Sequence, residues 1–454
     1  MINIINKLNT VGTILYLTPR ASRGFLFEDY LHNYEILTND NGYQKRIAEN
    51  RGVKVKYFED NTSLSARDLV RNKDSKFIEY INNIEQKKFV MLFKSQPNPG
   101  NTVYGCELIN PSYESTSSIE DKISFFNNFK NTVIGEYFPK KIIISTIDKG
   151  ITYKEMVGQF DGNKFVVQLN KSHSGDGTYI IENEDEYTDL VNSKLSGFPC
   201  KISQYIDSCN QYFTINAVAT KWGTYIAGLS NQITAIKEIN ASKGETCGNN
   251  FNQNGLSDTL RNELVKITDK VGSELYVNNG FWGMFGIDFV IDENNNVYII
   301  EVNARQTASV QDFTKIQDEN GVISLPLIHL AEYFNIDPMI DRNEYNYINT
   351  LPQIASILVL RNHNTENILI KNEYNGLYLS DGSMKLIEKN AYSINDVYST
   401  SNIFINENSK GSVIQPRSEF CRIIGKSDFF EGNNILHNTI LNIVREIYNG
   451  TEII

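Results

Sequence analysis

Residues 283–305 read Gly-Met-Phe-Gly-Ile-Asp-Phe-Val-Ile-Asp-Glu-Asn-Asn-Asn-Val-Tyr-Ile-Ile-Glu-Val-Asn-Ala-Arg. Two apolar runs, 286–291 and 297–302, flank a polar turn, which is the pattern of a β-hairpin. Strands that only packed would carry no acids, yet Asp288 interrupts the first run, and Glu301 and Asn303 close the second. Residues two apart in a strand share a face, so Glu301 and Asn303 project together, and Arg305 ends the hairpin. Three oxygen-bearing side chains on one hairpin suit a hard cation such as Mg²⁺, which combines carboxylate and amide oxygens with substrate phosphates. As a purely structural residue Asp288 would be expensive, because a buried unpaired carboxylate is strongly disfavoured. Asp292 and Glu293 belong to the turn itself. The hairpin points to nucleotide chemistry.

A chain of 454 residues exceeds one comfortable hydrophobic core, so several subdomains are expected. Its 41% hydrophobic and 21% charged residues are ordinary for a globular protein. The net charge of −11, without any dense basic stripe, argues against nucleic acid and anionic membrane as partners. A polyphosphate would then be held by local Lys, Arg and Mg²⁺. The cysteines, Cys106, Cys200, Cys209, Cys247 and Cys421, are odd in number and form no C-x-x-C pair. That argues against a disulfide framework or zinc site and for a reducing cytoplasm. The first apolar run, 11–17, is too short for a membrane span and reads as a core strand.

Outward from the hairpin, three regions are expected. Strand-like runs at 11–17, 52–58 and 89–94 alternate with helical spacing around 24–34 and 65–84, giving an open α/β domain over 1–117. A helix then starts with Ser117 or Ser118 as its N-cap and acids in its first turn. A small region, 118–206, follows, with strands at 164–169, 179–181 and 201–206. The third region, 207–454, holds strands at 212–219 and 224–229, a helix over 257–278, the hairpin, and helical spacing at 325–334. It continues with strands near 354–360 and 419–424 and a terminal amphipathic helix near 433–448.

Between two strands of the small region lies Ser174-Gly175-Asp176-Gly177-Thr178. It has neither the Lys-Ser/Thr ending of a P-loop nor a helix after it. Its glycines can still bring backbone N–H groups against phosphate oxygens.

Helix start, glycine loop and carboxylate hairpin, in this order, resemble the ATP-grasp superfamily, in particular its biotin-carboxylase-like branch. The residues that carry the likeness are Asp121-Lys122, the 166–177 strand and loop, Ser203-Gln204-Tyr205-Ile206, and Asp288 with Glu301-Val302-Asn303 and Arg305. The resemblance implies an α/β (α+β) ATP-grasp fold: an N-terminal open α/β domain, a small nucleotide-lid subdomain and a larger C-terminal catalytic part. It also implies ATP with Mg²⁺ or Mn²⁺ as cofactors. Asp288, Glu301 and Asn303 would be metal ligands and Arg305 the catalytic arginine. Lys122, Gln168, Ser174, Gly175, Gly177, Gln204, Tyr205 and Ile206 would touch the nucleotide. The family usually carries a Lys where this chain has Gln168, so Gln168 or Lys171 is left as the second phosphate contact.

The activity implied is that of a carboxylate–amine ligase forming an amide bond through an acyl phosphate, on small acids and amines such as amino acids or short peptides. A homodimer is left open. The rival readings are a different acceptor, bicarbonate or a carrier thiol, and a non-catalytic nucleotide-binding module. Gln232, His173, Arg20 and Arg23 are secondary candidates for contact with phosphate or substrate.

Overall fold

The structure, a computed structural model, describes all residues except 39–42, 59–74, 96–97, 147–151, 161, 163, 171–176, 194–196, 209–210, 242–243 and 433–434. Among the described residues the three largest sheets have six, four and ten strands.

Thr13–Leu17 is buried at every position. Ile14 and Tyr16 pack into one hydrophobic cluster and Leu15 and Leu17 into another, as in a strand covered on both faces. It pairs in parallel with Tyr34–Thr38 and with Lys88–Leu92. Val55–Tyr57 and Cys106–Leu108 extend this sheet in parallel, and Thr102–Val103 closes it as an antiparallel edge. The helix expected around 24–34 is not formed. A short 3-10 turn, Ala21–Gly24, leads into turns and then into the strand. Phe25, Leu26 and Phe27 are consecutive and all buried, a pattern of an irregular segment enclosed by core rather than a helix with one wet face. Of the helix expected over 65–84, Ser75–Asn82 is helical, and the part before 75 lies outside the described residues.

The helix expected to start at Ser117 or Ser118 is two helices. Tyr113–Glu120 is capped by Ser112, whose side chain accepts from the Ser115 N–H. Asp121 is extended and caps Lys122–Phe129, its carboxylate accepting from Ser124 N at 2.8 Å. The break arises because a carboxylate at Asp121 competes for the free N–H groups of the next turn. It leaves Lys122 as the first residue of the second helix.

The four-stranded sheet runs Ile142–Thr146, Pro199–Gln204, Phe165–Leu169, Thr178–Ile181, all antiparallel. The ten-stranded sheet begins at the hairpin, Val297–Asn303 against Gly283–Ile291, then Tyr212–Thr220 and Gly223–Thr234, and continues into the C-terminal strands Ser356–Arg361 and Glu419–Gly425. Helix Asp258–Asn279 packs on one face through Leu264, Ile267, Val271 and Leu275. Ser257 caps its start, and Gly280, at a φ of 67°, ends it in the left-handed conformation. The terminal helix is Asn438–Asn449, starting later than expected: Ile435–Leu436 is a short strand with Ile435 exposed, while Ile440, Leu441, Ile443, Val444 and Ile447 are buried as the stripe predicts. Among the described residues no helix is long and apolar enough to cross a membrane.

His329 ties the first sheet to the hairpin. It is fully enclosed: its Nδ1 accepts from Met284 N at 3.2 Å, and its Nε2 lies 3.0 Å from the Ile109 carbonyl. Burial lowers its pKa from 6.5 to about 4. The unfolded chain therefore takes up a proton that the folded chain refuses, so this stabilisation is full above about pH 6.5 and is lost as the pH falls toward 4. Between pH 7 and 5 the loss should be about 2 kcal/mol. Urea unfolding at the two pH values should show it, and His329→Gln, which keeps a donor and an acceptor, should flatten the difference. An unchanged pH dependence in that variant would exclude His329 as its source.

Candidate active site

The hairpin register sets the site. Asp288 pairs with Glu301 and Gly286 with Asn303, so the two carboxylates stand opposite each other on one face. The register then slips, Phe289 pairing with Ile299, which leaves Ile300 as a bulge. Asp288 accepts from Thr214 Oγ1 at 2.7 Å, Gln232 Nε2 at 3.3 Å and Asn303 Nδ2 at 3.3 Å. Burial, and then the charge of Glu301, raise its pKa to about 6 in spite of these donors. Glu301 forms an ion pair with Lys122 Nζ at 3.2 Å. Asn303 accepts from Arg305 Nη1 at 2.6 Å, and the same nitrogen donates to Glu120 Oε1 at 3.2 Å. Ser95 Oγ donates to the other oxygen of Glu120 at 2.8 Å. Arg305 is thus braced from two sides.

Among the described residues no group of three or more His, Cys, Asp or Glu side chains could hold a metal ion. The donor set is two opposed carboxylates, one buried with a raised pKa, and an amide linked to both Asp288 and Arg305. Such a set is incomplete for a protein cage but fits a hard cation that keeps open positions for phosphate oxygens and water.

The small sheet faces this hairpin. Gln168 stands in register with Lys201 on the neighbouring strand, and both are buried. Lys201 Nζ donates to the carbonyl of the bulge residue, Ile300, at 3.2 Å, and burial lowers its pKa to about 8. Gln168 and Lys201 line a cavity of about 260 Å³ together with Gln204, Tyr205, Ile206 and the two carboxylates. Ile206 packs with Val290 and Tyr298 to give an apolar floor. Gln204 is tied to the next strand, its Oε1 accepting from Lys141 N at 3.1 Å. The Tyr205 ring lies 5.4 Å from Lys164 Nζ. Ser174 and Gly175, like Lys171 and His173, fall outside the described residues. Gly177, at a φ of 78°, opens the strand after the loop.

Thr178 and Ile180 wall both this cavity and an adjoining cleft of about 950 Å³, which is lined by Arg23, Arg361, Arg417, Glu186, Asp189 and Glu245 among others. Arg20 does not itself line the cleft but pairs with Glu419, which does, its Nη1 3.0 Å from Glu419 Oε1 and its Nη2 donating to Asn408 Oδ1.

A family model described as "ATP-grasp domain" matches residues 119–309. That stretch holds every residue of the hairpin, the small sheet and the lysine-bearing helix. Residues 119–309 are an ATP-grasp domain. The chain is 21% identical over 286 residues to a D-alanine–D-alanine ligase of Petrotoga mobilis, 58% of this chain and 82% of that one. It is 22% identical over 230 residues to the carbamoyl phosphate synthase large chain of Agathobacter rectalis, 50% of this chain but only 19% of that much longer relative. Among solved structures, an N5-carboxyaminoimidazole synthase from Aspergillus clavatus, in complex with ADP, is similar at a TM-score of 0.58 and 13% identity, over 97% of this chain and 99% of that one. The biotin carboxylase domain of a Hydrogenobacter thermophilus 2-oxoglutarate carboxylase matches at 0.58 and 12%, over 98% and 91%. At these identities the likeness is one of fold alone, and it takes in the sheets on both sides of the ATP-grasp domain.

Sequence reading overlooked Lys201, Glu120 and Thr214. A lysine alternating with Ser203 in an otherwise apolar strand was the available signal for Lys201. The sequence marks Glu120 only as a helix-start acid, whereas it is the last residue of the preceding helix.

Gly286 is required by close approach. A Cβ there would lie 2.4 Å from Thr307 Cγ2, and the Thr307 hydroxyl donates to Asn216 Oδ1 at 2.6 Å. Gly286→Ala should therefore destabilise the ATP-grasp domain by about 1–3 kcal/mol in denaturant unfolding. Adding Thr307→Ser, which removes the methyl and keeps the hydroxyl, should recover most of the loss; no recovery would place the strain elsewhere.

Proposed function

We propose that the chain is an ATP-dependent carboxylate–amine ligase. The observation that carries this reading is the opposed pair Asp288 and Glu301, with Lys122 paired to Glu301 and Arg305 braced beside Asn303. Asp288 and Glu301, with Asn303, would hold Mg²⁺, whose charge offsets that of the phosphate oxygens when it is bound. Lys122 sits where it can turn from Glu301 to a phosphate. Arg305 presents a planar fork suited to a carboxylate or acyl phosphate. Ile206 and Val290 give an apolar slot for a base, beside the linker backbone.

In this reading an oxygen of the substrate carboxylate attacks the γ-phosphorus of ATP. The bond to the bridging oxygen breaks and ADP leaves. The amine nitrogen then adds to the acyl carbon, phosphate departs, the amine gives up its proton, and an amide remains. Arg305 steadies the oxygen that becomes negative on addition, and Glu120 keeps Arg305 aimed. The cleft beside Thr178 and Ile180 receives acid and amine. Its walls carry both guanidinium and carboxylate groups, which suits zwitterionic amino acids or short peptides. The D-alanine–D-alanine ligase relative supports the same substrate class.

The test is phosphate release from ATP and Mg²⁺ with pooled amino acids, small acids and bicarbonate, the products being identified by mass spectrometry. Release that requires both an acid and an amine, with an amide product, is expected. Release with bicarbonate alone would move the acceptor, and none with any pool would make the chain a binding module. With the active pair in hand, Glu301→Gln should cut turnover by about a hundredfold or more while leaving the circular dichroism spectrum unchanged. Full activity would refute the role of the hairpin. Glu120→Ala should cost about tenfold or more in kcat/KM, since it removes a brace on Arg305, and should leave the affinity for ATP as it was.

A further inference from the structure

Lys201 carries a buried amine beside the hairpin carboxylates. It lies 7% exposed in Pro199–Gln204, the strand that leads into the linker. The one hydrogen bond of its side chain among the described residues goes to the Ile300 carbonyl, and it forms no ion pair among them. The nearby Glu301 is already engaged by Lys122. A charge out of water that shares its nearby counter-charge with a second lysine is costly. Its surroundings, though, are a cavity, not a packed core: Lys201 lines the same space as Gln168, Asp288 and Glu301.

The register makes the placement specific. Lys201 is directly opposite Gln168, so both side chains leave the same face of the small sheet within about 5 Å of each other at Cβ. That face looks onto the hairpin, where the bulge at Ile300 turns a carbonyl to the lysine. Asp288, Glu301, Lys122 and Lys201 together are formally neutral. A divalent cation on the carboxylates would leave two positive charges in excess, which a polyphosphate can balance.

We propose that Lys201 is a nucleotide-binding residue, which supplies from the linker strand the positive charge that Gln168 does not bring and contacts a phosphate of ATP between the small sheet and the hairpin. The proposal rests on the reading that this site binds ATP. Gln168 then serves as a neutral donor at its side. What matters is a charge on this face of the sheet, whichever of the two opposed positions carries it.

The test is calorimetric binding of ATP and of adenosine, each with and without Mg²⁺, to the full chain. The wild type should bind ATP; if it binds none, the ATP reading itself fails and the variants need not be made. Lys201→Gln should weaken ATP at least tenfold and leave adenosine within twofold, because only the phosphates lose a contact. The exchanged pair, Gln168→Lys with Lys201→Gln, should regain ATP affinity to within a few-fold of the wild type, and Lys201→Arg should retain most of it. With ATP binding by the wild type established, a Lys201→Gln protein that binds ATP normally overturns the proposal. So does one that loses ATP and adenosine in equal measure, or a folded exchanged pair that regains nothing.

Discussion

Two carboxylates face each other across an antiparallel hairpin, and one of them is buried. Like charges in register repel, and burial adds to the cost, as the raised pKa of Asp288 records. The surrounding structure answers this one unfavourable pairing. Thr214, Gln232 and Asn303 donate to Asp288, and Lys122 reaches Glu301 from the start of a helix on another element. Packing alone gives no reason to place two acids in register. A site that receives a cation and a polyphosphate, as proposed, would supply one.

The small sheet meets the hairpin through Lys201 at the Ile300 bulge, and the helix that precedes that sheet meets it through the Lys122–Glu301 pair. In the proposed reading both lysines would turn to phosphate, which would couple nucleotide to the position of the sheet. Arg305 is held from outside the hairpin by Glu120, which Ser95 holds in turn, so its aim does not depend on a substrate being present. The N-terminal sheet contributes through its own ends. Arg23, just past Thr13–Leu17, reaches the large cleft, where ligands of open α/β sheets commonly sit.

The hairpin was legible because its chemistry is written locally. Acids inside an alternating apolar run, two residues apart, define a face without any knowledge of the partner strand. The long helix Asp258–Asn279 and the terminal helix were legible from their apolar stripes. The segment 24–34 was not, because Phe25 to Phe27 are enclosed on all sides and such burial erases the period that distinguishes a helix. The double helix around Asp121 was missed because a serine and an aspartate compete as caps, and only the chain's path decides between them. Lys201 was missed for a different reason. Its meaning lies in its register against Gln168 and in a bulge on a separate sheet, neither of which a single strand reveals. Ser174 and Gly175 stay as the sequence left them, outside the described residues.

The most direct measurement of the account is a titration with Mn²⁺, followed by electron paramagnetic resonance, in the presence of a non-hydrolysable ATP analogue. The account predicts that the wild type immobilises Mn²⁺ together with the nucleotide, and that Asp288→Asn leaves the ion free in solution while the protein stays folded. Equal immobilisation of Mn²⁺ by the wild type and Asp288→Asn would contradict it.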